Sequence, residues 1–72
     1  MSLLDVPEGS FCRMGGVPYS GMLARRLGEL GLFCGARVRI VRNRAGPVIL
    51  EVFGSRLAMG RRLAGAIGAG HD

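Results

Sequence analysis

Hydrophobic and polar residues along this chain follow two different periods. Leu23, Leu27 and Leu30 fall at i, i+4 and i+7, which is one stripe of a helix, while Arg25, Arg26 and Glu29 lie off that stripe. Ser20 stands where an N-cap is expected, so the pattern predicts a helix from Gly21 to Leu30. Gly31 suits the left-handed C′ position after that helix, and Leu32 then sits at C″, placed to touch Leu27. Gly28 inside the helix costs about 1 kcal/mol against alanine, and its presence predicts a close backbone approach.

Elsewhere the period is two. From Ser10 to Met14, Phe11 and Arg13 share one face of a strand and Ser10, Cys12 and Met14 the other. Gly15 to Tyr19, with two glycines and a proline, is a loop. In Arg37–Arg42, Val38 and Ile40 point inward while Arg37 and Arg39 point outward; Asn43 to Gly46 is the turn that follows. Pro47 opens the next strand, with Val48, Leu50 and Val52 inward and Ile49, Glu51 and Phe53 outward. Gly54-Ser55 is read as a tight turn, Arg56 to Met59 as a short strand, and Gly60 to Ala66 as one or two helical turns with Leu63, Ala64 and Ile67 facing in. Ile67 to Ala69 is a closing strand and Gly70 to Asp72 a tail; Leu3, Leu4 and Val6 of the lead-in can pack on the body. The sum is a mainly β fold: about five short strands, one inserted α-helix and a short helical turn near the C-terminus. A meander of this size hides its edges by curling, so a small SH3-like barrel filling residues 1–72 as one domain is expected.

Composition narrows the classes further. With 72 residues, 49% of them hydrophobic, a small folded core is expected, and no apolar run approaches the roughly 20 residues of a membrane helix. The first residues lack the basic and apolar regions of a secretory signal, which points to the cytoplasm. The formal net charge is +5, and every basic residue is an arginine. Composition bias is the better account of that; a surface meeting carboxylates, phosphates or nucleic acid is the functional alternative. Arg37, Arg39, Arg42 and Arg44 could form a nucleic-acid stripe, yet the aromatics that look free, Tyr19 and Phe53, lie outside it. A solvated face is the better reading of that stripe. Cys12 and Cys34 read as core or half-core thiols; together with His71 they are too few and too scattered for a metal site. No nucleophile has a base near it in sequence, so neither a catalytic residue nor a cofactor is assigned.

Four segments together resemble the FeoA family, small cytosolic accessory proteins of bacterial ferrous-iron uptake. They are Arg26 to Leu32 with Gly35; the strand pair around Val38-Ile40 and Pro47-Val48-Ile49-Leu50; Gly54 followed by Leu57-Ala58-Met59; and Ala64 with Ile67. The chain departs from the family's usual residues at Cys34, at Met59-Gly60, at Leu63 and at the turn Ala45-Gly46. The resemblance implies an SH3-like barrel that is no enzyme and binds FeoB, a membrane ferrous-iron transporter with a cytosolic GTP-binding domain. Recruitment to the inner face of the membrane would come through that partner, without insertion. The outer side of the inserted helix, with Arg25, Arg26 and Glu29, is the expected recognition surface, and the loop residues Val17 and Tyr19 are a second candidate. An arginine finger drawn from Arg25, Arg26, Arg61 or Arg62 is a sharper idea, but a solvated basic face is the better reading, since nothing in the sequence marks one of them as special. Ile49 and Phe53, flanking Glu51, could form an apolar patch for a homo-oligomer. The alternative roles are a stand-alone relative of the C-terminal domain of iron-dependent repressors, or a basic nucleic-acid-binding barrel.

Overall fold

Strand alternation and glycine punctuation together produce one curled sheet. The computed structural model describes residues 1–72. In chain order it has a 3₁₀ turn (Leu3–Asp5), β1 (Phe11–Met14), α1 (Gly21–Glu29), β2 (Arg37–Arg42), β3 (Val48–Val52), β4 (Ser55–Met59), α2 (Arg61–Ala66) and β5 (Ala69–Gly70). The five strands form a single antiparallel sheet in the order β4-β3-β2-β1-β5. This is the expected small barrel, with α1 inserted after the first strand.

The inward positions are those the alternation predicts. Cys12 faces Val38 across β1–β2, Ile40 faces Leu50 across β2–β3, and Leu50 faces Leu57 across β3–β4. A register shift between Ile40 and Arg42 sets two residues of β2 against one of β3, a bulge that sharpens the local twist and helps the sheet curl. The core gathers Val38, Ile40, Val48 and Leu50 from the sheet with Ala64 and Ile67 from the C-terminal part, all at 0% exposure. The lead-in plugs one end of the barrel. Leu3 is fully buried and its N–H donates to the Ile67 carbonyl at 3.1 Å. Ser2 and Asp5 hold the plug in shape through a reciprocal capping box. No helix is long and apolar enough to cross a membrane.

The end of α1 follows the predicted geometry. Leu30 is the C-cap, Gly31 takes φ +92°, the Leu32 N–H donates to the Leu27 carbonyl at 2.8 Å, and the Gly31 N–H donates to the Gly28 carbonyl at 3.0 Å.

Several expectations need correction. Of the leucine stripe only Leu27 is buried, while Leu23 is 42% and Leu30 51% exposed. A helix of nine residues anchored to the barrel at Leu27 cannot press its whole stripe onto a small convex body. Nothing lies within 4 Å of a Cβ built on Gly28, so that glycine marks no close approach. Ser20 occupies the N-cap position, yet its side chain makes no capping bond. The β3–β4 turn is Phe53-Gly54, one residue earlier than Gly54-Ser55, because Val52 pairs directly with Ser55. Cys34 is exposed, since it lies in the turn between Leu32 and Ala36; Cys12 alone is a core thiol.

Candidate partner-binding surface

An apolar strip runs from one side of α1 to the β3–β4 hairpin. Leu23 and Leu30, seven residues apart, share the side of α1 next to its buried Leu27, and both remain exposed. Beyond the helix, Phe33 and Phe53 stand with ring centroids 6.0 Å apart and planes tilted by 32°. The Phe53 ring lies over Gly31 so closely that a Cβ there would meet it at 2.6 Å. The helix-ending glycine thus serves twice: it supplies the left-handed conformation, and it gives the ring bare backbone to rest on. Met22, 74% exposed, extends the apolar surface on α1, and an open depression of about 390 Å³ is bordered by Arg26, Glu29 and Leu30.

Phe53 is the unusual member. It is the only non-glycine residue with positive φ, at +48°, and its side chain is 75% exposed. A two-residue hairpin turn with both φ values positive favours Asn-Gly or Gly-Gly, and an aromatic there is strained. The chain therefore holds a large apolar side chain in the open, on a backbone that disfavours it.

Around this strip the predicted recognition residues take distinct places. Arg25 and Glu29 pair along the exposed side of α1 at 3.7 Å, and Arg26 borders the depression. Tyr19 is exposed in the loop before α1, whereas Val17 is half-buried and packs against the core. Ile49 is half-buried on β3 opposite Ala58, and Phe53 has left the strand for the turn, so the two do not form the patch expected from alternation. Sequence reasoning missed Phe33 altogether. Its signal was the short run Gly31 to Gly35, too tight to bury both Leu32 and its neighbour.

The outward positions of β1 and β2 carry a cluster of arginines. The Arg37 guanidinium grips the Asp72 carboxylate at 2.7 and 2.9 Å, and Arg13 stands 3.7 Å from the same group. The C-terminal tail is thus tied to β2. Arg37 also lies 3.8 Å above the Phe11 ring, with Arg39 at 5.9 Å. An aromatic therefore does sit within the arginine stripe, brought there by β1–β2 pairing rather than by sequence proximity, which corrects the sequence reading. Other arginines are engaged elsewhere: Arg44 with Glu8 at 3.2 Å, and Arg61 with the Asn43 carbonyl at 2.9 Å.

Two titrations follow from this geometry. The hydrogen bonds from Arg37, aided by the charges of Arg37 and Arg13, hold the Asp72 carboxyl below its ordinary value of 3.8, against a smaller opposing effect of burial. Burial, and then the Asp72 charge, push the Cys12 thiol up, which keeps it protonated and inert. A depressed carboxylate pKa stabilises the folded state above the unfolded-state value, and that stabilisation is lost as pH falls through the folded-state value. Backbone amides of β5 are accordingly expected to lose hydrogen-exchange protection below about pH 4, relative to Val38 and Ile40. Asp72→Asn should remove that dependence; β5 protection that is equally pH-sensitive in the variant would show that Asp72 is not the cause.

Reactive chemistry is sparse. The one serine hydroxyl bonded to a carboxylate is Ser2 with Asp5, which belongs to the cap. No group of three or more His, Cys, Asp and Glu side chains is placed to hold a metal ion.

Comparison with known proteins agrees with this barrel. The FeoA domain family model matches residues 1–69. A protein of Methanocaldococcus jannaschii described as a putative Fe(2+) transport protein A is 42% identical over 40 residues, which are 56% of this chain and 49% of that protein. The chain thus spans about half the length of that curated relative. The solution structure of FeoA from Chlorobium tepidum superimposes with a TM-score of 0.87 at 27% identity, covering 99% of this chain and 70% of that one. FeoA of Stenotrophomonas maltophilia, solved with zinc and described as a prokaryotic SH3 domain protein, gives 0.79 at 27% identity over 96% of this chain and 88% of that one. A family match over nearly the whole chain, together with this barrel and its inserted helix, places the protein in the FeoA domain family.

Proposed function

We propose that this protein is a non-enzymatic accessory factor of ferrous-iron transport, and that it binds the cytosolic GTP-binding domain of a FeoB-type membrane transporter. The strip Leu23, Leu30, Phe33 and Phe53 forms the contact, flanked by Arg25, Arg26 and Glu29. The single observation that carries the reading is Phe53, a largely exposed aromatic kept at φ +48°. Strain of this kind persists where a function requires it. The composition of the surface fits as well: aromatic and aliphatic anchors inside a charged rim are the usual anatomy of a protein contact. Family membership supports the transport context, since the relatives are named for iron transport.

Calorimetric titration of the transporter's purified cytosolic domain with this chain tests the reading. Measurable binding is expected for the native chain. With Arg25→Glu/Arg26→Glu the affinity should fall about fivefold, mostly through a slower on-rate, because both side chains lie on the exposed rim. The circular dichroism spectrum should not change. No binding by the native chain would overturn the proposal. Native-like binding by the charge-reversed variant would remove the outer side of α1 from the contact. Sedimentation of the chain alone as a dimer that hides Phe53 from solvent would instead assign the strip to a second copy.

A further inference from the structure

We propose that Arg13 and Arg37, paired across β1 and β2, form a binding site for a phosphate monoester, which the Asp72 carboxylate holds shut in the free protein. The geometry around Asp72 is that of a receptor already filled from within. Arg37 presents its fork to both carboxylate oxygens, Nε at 2.7 Å and Nη2 at 2.9 Å, which is the arrangement guanidinium groups use for carboxylates and phosphates alike. Its plane is fixed from below by the Phe11 ring, 3.8 Å from the guanidinium carbon. Arg13 approaches the same carboxylate from β1, but its Nε stops at 3.7 Å, beyond hydrogen-bonding distance, and its Nη1 reaches only the Gly35 carbonyl at 3.3 Å.

A phosphate monoester would use the two cations more fully than a carboxylate does. Each Asp72 oxygen accepts from Arg37, and Arg13 at 3.7 Å adds charge without a hydrogen bond. A phosphate monoester has three free oxygens. Two can take the Arg37 fork while the third meets Arg13, and the dianion gains both cations.

The latch is built to yield. The Asp72 side chain is 33% exposed and the Arg37 side chain 48%, and ion pairs at such sites contribute little net stability. Asp72 lies outside β5, so its side chain can leave Arg37 while the pairing of Gly70 with Arg13 stays intact. A phosphate ligand therefore competes with a weak internal anion, and its binding would free the Asp72 side chain.

The test is an amide-shift NMR titration of the native chain, of Asp72→Asn, and of Arg37→Gln, with inorganic phosphate and with a nucleoside monophosphate at constant ionic strength. Saturable shifts at Arg13, Arg37 and His71 are expected in the native chain, with binding about threefold tighter in Asp72→Asn, where the internal competitor is gone. Arg37→Gln should abolish saturation; should that variant unfold, Arg37→Lys keeps the charge without the fork and should weaken binding at least threefold. A larger response to the nucleoside monophosphate than to phosphate would assign the source as a nucleotide, and an equal one as free phosphate. Equal shifts with chloride, or unchanged affinity in Asp72→Asn, would overturn the proposal. So would tighter binding of a single-stranded oligonucleotide with a steep salt dependence, which would make the face a nucleic-acid track. None of these variants changes Leu23, Leu30, Phe33 or Phe53, so the transporter contact is tested separately.

Discussion

Leu3→Ala is expected to destabilise the protein by about 3 kcal/mol and to lower its thermal midpoint by roughly 12–24 °C. A domain of this length has on the order of 4–11 kcal/mol in total, so the change would remove a large share of it. Leu3 belongs to a three-residue turn near the start of the chain, where fraying is the usual expectation. Here the segment is tied at several points. The Leu3 side chain has no exposure, and its N–H donates to the Ile67 carbonyl at 3.1 Å. The Asn43 side-chain amide donates to the Val6 carbonyl and, at 3.4 Å, to the Leu4 carbonyl, which joins the plug to the β2–β3 turn. Leu4 Cδ1 lies 3.1 Å from where a Gly65 Cβ would stand, so α2 packs down onto the plug without a side chain between them. Truncation at Leu3 leaves a cavity whose walls are held from three sides and cannot collapse into it. Urea unfolding followed by circular dichroism measures the effect. The midpoint should fall with the slope unchanged, and Leu3→Met should cost less than about 1.5 kcal/mol because it preserves volume. A loss below about 0.5 kcal/mol for Leu3→Ala would mean that the plug is frayed in solution.

One-dimensional patterning reaches the positions that a local period decides. Val38, Ile40, Val48, Leu50 and Val52 were legible as core because a strand with one wet face must alternate, and nothing in the fold overrides that period. The end of α1 was legible because only glycine fits the left-handed position between Leu30 and a returning Leu32. Positions decided by curvature were not legible. The stripe Leu23, Leu27, Leu30 is a correct helical face, but how much of it is buried depends on the shape of the body beneath, and that shape is set by strands distant in sequence. The hairpin turn was misplaced by one residue because Gly54-Ser55 matches ordinary turn chemistry, whereas Phe53 at positive φ does not.

The recognition surface was half legible for the same reason. Arg25, Arg26 and Glu29 were found from the polar side of a helix, which any amphipathic pattern displays. The apolar half needed the third dimension: Phe33 and Phe53 are 20 positions apart in sequence and meet only because the α1–β2 turn and the β3–β4 hairpin lie side by side. The arginine face repeats the lesson. Phe11, Arg37 and Asp72 come from three separate segments, and only the pairing of β1 with both β2 and β5 draws them together.

Phe53→Asn separates what the turn needs from what the surface does. The substitution is expected to weaken binding of the transporter's cytosolic domain at least tenfold, while stability stays within about 1 kcal/mol of the native value. Loss of binding follows from removing the most exposed aromatic of the strip, since exposed rings that become buried in a contact carry much of its energy. Stability is preserved because two effects oppose each other. The ring gives up its contacts with Gly31 and Phe33, but asparagine accepts φ +48° readily, and Asn-Gly is the preferred pair for this turn. Phe53→Ala isolates the second effect. It loses the same ring and keeps the unfavourable φ, so it should bind as weakly as Phe53→Asn yet be less stable than it by about 0.5–1 kcal/mol. Calorimetric titration and urea unfolding of both variants provide the two readouts. Equal stability of the asparagine and alanine variants would show that the turn is not strained. Native-like binding by either would place the partner elsewhere on the barrel. Weak binding combined with preserved stability would establish that the chain keeps an aromatic at this turn for contact, at the expense of a better-folding residue.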